Sequence, residues 1–193
     1  MPAVFKSNNT NLSKIDKLLY LVNSTYFFGI GKDTTWNTSW GDDVNEENPP
    51  MPEFNIDNLP DIKLYKKPYY QTLAVESQCG TVEFDSCGTS EGSKKLTLIN
   101  LETTNRDTLN AISPDYLYFK IEIEENDLTF ANIQNFRVAG LYKNITFTNS
   151  KRIRYLPTSV VNQGILYWAS YFTPIQKNTI ITTTYVQEII IKA

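Results

Sequence analysis

Residues 116–124 read YLYFKIEIE, with Leu117, Phe119, Ile121 and Ile123 alternating against Tyr118, Lys120, Glu122 and Glu124. A period of two puts the first set on one face of a strand and the second on the other, so the stretch predicts a strand with one buried face and one wet face. The same chemistry returns on either side of it. Lys94–Leu101, Asn135–Tyr142, Gly164–Phe172 and Thr179–Lys192 are rich in Ile, Val, Thr, Tyr and Phe and are separated by Gly, Pro, Asn and Asp. β-branched and aromatic side chains suit a pleated surface, while the separating residues favour turns. The closing run TIITTTYVQEIIIKA carries β-branched residues on both faces, as in a strand covered on both sides or one whose edge joins another chain.

Helical periodicity is concentrated near the beginning. In Asn11–Asn23, NLSKIDKLLYLVN, the residues Leu12, Ile15, Leu18, Leu19 and Val22 form one apolar stripe. Ser13 or Asn11 suits the cap, because a side-chain oxygen there accepts from a first-turn amide. Such a helix either packs on the body of the domain or presents its stripe to a partner.

Thr25–Pro52, TYFFGIGKDTTWNTSWGDDVNEENPPMP, joins a hydrophobic strand to a long polar stretch holding Trp36 and Trp40. From Gly41 to Leu59 the chain reads as an irregular arm. Pro49, Pro50, Pro52 and the following Pro60 fix φ and remove backbone donors, which excludes a central strand or a helix interior. Asp42, Asp43, Glu46 and Glu47 lack the alternating ligand spacing and the turn glycine of a calcium loop, so they read as a solvated acidic loop and no metal is expected. The two tryptophans either fold back over the strand ending at Phe28 as a satellite core or anchor an interface. Arg137 is expected to pair with a carboxylate beneath a Gly140–Leu141 turn.

At 193 residues the chain is long enough for one domain, divided here into an N-terminal tail and helix (1–24), a strand with its Trp/Pro-rich arm (25–60) and a β domain (61–193). Hydrophobic residues at 41% and charged residues at 20% argue for a folded chain. A net charge of −3 argues against nucleic acid, which needs a concentrated basic face. No run of about 18 apolar residues and no leader pattern is present, so neither a membrane nor export is expected. Without export, the triplets beginning at Asn8, Asn11, Asn23, Asn37 and Asn144 read as composition and not as glycosylation sites. Cys79 and Cys87 could face each other across a short hairpin but are expected as free thiols.

Histidine is absent from the chain. That removes the commonest general base and metal ligand, and no catalytic residue or cofactor is expected. Gly29 and Gly31 lack the third glycine and the Gly-Lys-Ser/Thr ending of a phosphate loop. Two further readings stay open. A carboxylate pair acts alone in many glycosidases, and 12 tyrosines with 3 tryptophans supply aromatic faces for a carbohydrate-binding tail or surface module.

Three separated segments resemble one family. TYFFGIGKDTTWNTSWGDDVNEENPPMP is similar to the pattern of hydrophobic strand, Ile-Gly-Lys/Arg, Thr-x-Trp, acidic and Asn-rich stretch and Pro-Pro-x-Pro near the start of the dimeric baseplate wedge subunit of contractile-tailed bacteriophages. NFRVAGLYKNITFTNS, Asn135–Ser150, resembles its Phe/Tyr-Arg-x-x-Gly-Leu-x-x-Asn-Pro block, with Ile145 in place of the proline. Gly164, Pro174, Ile175, Gln187 and Glu188 match its C-terminal block, and Lys177 stands near the place of an arginine. Residues from about Asp61 to Asn132 carry no resemblance, and this chain looks like a shortened member. The resemblance implies a structural virion protein without an active site, assembled in the host cytoplasm into the tail baseplate. Its implied partners are other tail or baseplate proteins, in a homo- or hetero-oligomer.

The expected fold is therefore mainly β, an antiparallel sheet or sandwich with one short N-terminal helix and a long proline-rich arm. Phe28, Ile30, Trp36, Trp40, Pro49, Pro50, Leu18 and Leu19 are the candidate interface residues.

Overall fold

A computed structural model describes residues 11–53, 56–85, 93–149, 151–178 and 184–192. In chain order its elements are α1 (Asn11–Val22), β1 (Tyr26–Gly31), η1 (Thr38–Trp40), β2 (Ile62–Lys66), β3 (Tyr70–Glu76), β4 (Val82–Asp85), β5 (Ser93–Leu98) and α2 (Arg106–Ile112). They continue with β6 (Tyr116–Ile123), α3 (Glu125–Phe130), β7 (Asn135–Lys143), β8 (Thr146–Phe147), β9 (Arg154–Tyr155), η2 (Pro157–Ser159), β10 (Val160–Asn162), β11 (Ile165–Gln176) and β12 (Tyr185–Lys192). The protein is mainly β, with antiparallel sheets and a few short helices. No described helix is long and apolar enough to cross a membrane. The chain divides into two units that interleave in sequence.

The first unit comprises Met1–Asn23, Tyr70–Phe119 and Glu188–Ala193. Its sheet has the order β12-β6-β3-β5-β4. Leu96 is central, paired with Glu76 on one side and Val82 on the other, and it is fully buried with Leu73, Ala74, Leu117 and Phe119. Helix α1 buries Ile15, Leu18, Leu21 and Val22. Its stripe is thus rotated slightly from the expected one, with Leu21 inward and Leu19 only half-buried. Two ion pairs fasten the helix, Lys14 to Asp115 and Asp16 to Arg106.

Strand β5 stops at Leu98, three residues short of expectation, because Asn100 starts a turn: its side chain accepts from the amide of Glu102 and its carbonyl from the Thr104 hydroxyl. Strand β6 also departs from the simple alternation. Tyr118 was expected on the wet face, yet it is buried, and its hydroxyl donates to Glu188 on β12 at 2.5 Å. A long amphipathic ring can bury its body while its polar tip finds a partner, which polarity counting does not capture. Lys120 and Glu122 remain half-exposed and pair with each other at 2.9 Å.

The second unit comprises Ser24–Tyr69 and Lys120–Gln187. Its main sheet has the order β11-β7-β1-β2-β9, and β8 and β10 form a separate two-stranded ribbon. Strand β7 is buried almost throughout because β1 and β11 flank it. The expected turn at Gly140–Leu141 lies instead in the middle of this strand. Gly140 stands opposite Gly29 across the β1–β7 pair, and the two missing side chains leave room for the rings and aliphatics that close the core. A Cβ on Gly29 would lie 2.9 Å from the Tyr142 ring and 3.1 Å from that of Tyr65, and one on Gly140 would lie 2.4 Å from Leu59. Around them pack Phe27, Trp36, Leu59, Tyr65, Val138, Tyr142 and Phe147.

Strand β11 runs on past Phe172 to Gln176 although it contains Pro174. Its position at the sheet edge and the register shift between Tyr171 and Ile175 accommodate a residue that cannot donate to a ladder. The expected strand Thr179–Lys192 is described only as β12 from Tyr185; residues 179–183 lie outside the described residues, as does Cys87. Cys79 is exposed and free.

Candidate assembly surface

The connection between β1 and β2, residues 32–61, is irregular apart from η1, and the second unit holds it at several points. Arg137 on β7 is the chief one. Only 4% exposed, it donates from Nε to both carboxylate oxygens of Glu46, at 3.0 and 2.9 Å. Its Nη1 donates to the carbonyl of Asp33 at 2.9 Å and to the Asn135 side chain. Glu46 also accepts from the backbone amide of Trp36 at 2.6 Å. The predicted arginine–carboxylate pair thus exists, and it ties two parts of one connection to β7.

The tryptophans divide between the two readings open to them. Trp36 is buried, its indole N–H donating to the Phe172 carbonyl at 3.0 Å. Trp40, at the end of η1, is 40% exposed and meets Trp36 edge-on with ring centroids 5.2 Å apart. Tyr171 on β11 touches both rings. The Lys32 ammonium lies 4.6 Å from the Trp36 ring and 5.0 Å from the Trp40 ring, an internal cation–π contact. Lys32 is itself buried, and desolvation, followed by the nearby Arg137 charge, lowers its pKa from the usual lysine range.

Beside Trp40 lies an open cavity of about 440 Å³, lined among others by Pro50, Met51, Ile56, Pro60 and Tyr171. Met51 is 89% exposed. Asn45 shapes the acidic loop before it, its side-chain oxygen accepting from the amides of Glu47 and Asn48. The other end of the connection is anchored by Tyr142, whose hydroxyl accepts from the Leu59 amide at 3.1 Å and donates to Asn58 at 2.8 Å. Burial raises the Tyr142 phenol well above its ordinary pKa.

The candidate interface residues therefore occupy different depths. Phe28 and Ile30 are fully buried in β1, Trp36 beneath the connection and Leu18 in α1. Leu19, Pro49 and Pro50 are half-buried, and Trp40 is exposed. Sequence reasoning did not single out Tyr171 and Met51, two further side chains bordering the cavity. Their signals were weak, an aromatic in an edge strand and a methionine between prolines. Among the described residues no group of three His, Cys, Asp or Glu side chains is placed to hold a metal ion.

Fold and surface define a mainly β protein that holds aromatic and apolar side chains partly exposed on a pinned irregular connection. The family described as baseplate wedge 3 tail fiber network component matches residues 7–192, and the chain belongs to it. It is a structural component of the phage tail baseplate. No curated protein matches the chain.

Proposed function

We propose that the protein acts by protein–protein assembly, docking the surface around Trp40, Pro50, Met51 and Tyr171 onto a neighbouring baseplate or tail protein. The observation that carries this reading is the half-exposed Trp40, fixed by Trp36, Lys32 and Tyr171 before any partner arrives. A pinned aromatic anchor loses little freedom on binding, so more of its burial appears as affinity. Trp36 supports the surface from beneath, Pro49 stiffens the loop leading to it, and Phe28 and Ile30 serve the fold of β1. Assembly in the host cytoplasm, into a homo- or hetero-oligomer, belongs to the same reading, with no catalytic step.

Co-fractionation with the other baseplate proteins tests it. Trp40→Ala should weaken incorporation by about 2 kcal/mol, roughly thirtyfold in affinity, in a protein that stays folded with a melting temperature lowered by the loss of its contacts to Trp36, Tyr171 and Lys32. Unchanged incorporation of a folded Trp40→Ala, Met51→Ala double variant would remove this surface from the account.

A further inference from the structure

A second cavity of the same unit, about 620 Å³, opens where β2, α3 and β9 meet. Four cationic residues line it, Lys66, Lys151, Arg152 and Arg154, against two carboxylates, Glu124 and Asp127. Asp127 is 2% exposed and binds both Lys66 and Arg154, so those two cations share one carboxylate and keep a net positive charge between them. Lys151 and Arg152 are exposed, and neither has a carboxylate within ion-pairing distance among the described residues. Between the charges stand Ile153, 63% exposed, and Phe130, 38% exposed beneath the Arg154 guanidinium. In a chain of net charge −3, this is a local cationic and apolar concavity, beside the two-residue edge strand of the sheet.

The complementary surface lies on the same unit. Asp42, Asp43 and Glu47 are exposed and unpaired with any described cation. Glu46 between them is held by Arg137, which presents the other three on a loop that has already lost its freedom. Pro49, Pro50 and the exposed Met51 follow directly. The unpaired carboxylates of the loop match the unpaired Lys151 and Arg152 of the cavity.

We propose that the cavity of one copy receives the acidic loop Gly41–Asn48 of a second copy, with Lys151 and Arg152 facing Asp42, Asp43 and Glu47. Loop and cavity are different patches, so copies related by a twofold axis make the contact twice, and other arrangements pass it from copy to copy. The inference rests on the reading that the chain works by assembly, but it concerns contacts between identical chains, which the co-fractionation with other proteins does not measure.

Sedimentation velocity on the full chain, over a range of concentrations and sodium chloride levels, tests it. The expected result is self-association that weakens with salt and is weakened about tenfold or more by Lys151→Glu with Arg152→Glu, and equally by Asp42→Lys with Asp43→Lys. Combining all four substitutions should restore it. All four side chains are exposed, so circular dichroism should be unchanged; were a variant to misfold, the salt response of the unaltered chain decides. A monomer at every concentration, association indifferent to salt and to both charge reversals, or no restoration in the combined variant would overturn the proposal. Normal incorporation of Lys151→Glu, Arg152→Glu protein into baseplates, alongside any of those results, would dismiss this contact alone and leave the assembly role standing.

Discussion

Nε of Arg137 lies 2.9 Å from Oε2 and 3.0 Å from Oε1 of Glu46, residues 91 apart in the chain. The arginine is buried near the start of β7, while the Glu46 side chain is 33% exposed. The pair therefore has one desolvated charge that depends on one half-solvated partner.

Removing the carboxylate strands that charge. Glu46→Gln should lower the unfolding free energy by about 2 kcal/mol, less than for a fully buried pair because water reaches the glutamate side. Urea unfolding measures the loss; the glutamine keeps one acceptor oxygen for the Trp36 amide or for Arg137 but sets its NH2 donor against the other. A loss below about 0.5 kcal/mol would mean that the pair does not hold the connection.

The glycines of β1 and β7 give a graded test of packing. A Cβ on Gly31 would meet the backbone of Asp61 at 2.1 Å, whereas one on Gly140 first meets the flexible ends of Leu59 at 2.4 Å and Leu166 at 2.8 Å and then the Trp168 carbonyl at 3.1 Å. Gly31→Ala should therefore cost about 3 kcal/mol or more and Gly140→Ala about 1 to 2 kcal/mol. Equal losses in thermal unfolding would show that the Asp61 backbone yields as readily as a side chain.

Alkaline pH should destabilise the fold. Burial raises the phenols of Tyr65 and Tyr142 and pushes Tyr185 up to about 12; Tyr118 is raised by burial and then by its hydrogen bond to Glu188. The unfolded chain ionises these phenols near pH 10 while the folded one still holds their protons, so stability is full below about pH 10 and falls as pH rises toward the folded values. Lys63, raised by its hydrogen bond to Asp61, acts in the same sense. Lys32, lowered, opposes them by gaining stability as pH rises to its unfolded value, one group against several. Urea midpoints at increasing pH should drop above about pH 10; a midpoint unchanged up to pH 12 would contradict the burial of these phenols.

The long elements were legible because their periodicity is long. Helix α1 and strand β6 follow from spacing, and β7 from its β-branched and aromatic composition, although a turn was expected at Gly140–Leu141 within it. Helices α2 and α3 escaped, being only 7 and 6 residues long, too short for an apolar stripe to repeat. Their signals lay in the caps. The Asn105 side chain accepts from the Thr108 amide, Ser113 ends α2 with φ of 51°, and Glu124 with Asp127 forms a capping box. The need of Arg137 for a carboxylate was readable from its strand, but the choice of Glu46 was not, since that contact depends on how residues 32–61 fold back. For the same reason the sequence could not separate Trp36 from Trp40, four residues apart and of opposite exposure.

Electron cryo-microscopy of the assembled tail tests the assembly role most directly. The account predicts copies of this chain in the baseplate, with Trp40 and Met51 covered by a neighbouring subunit. Copies confined to the neck or capsid, or baseplate copies with that surface open to solvent, would contradict it.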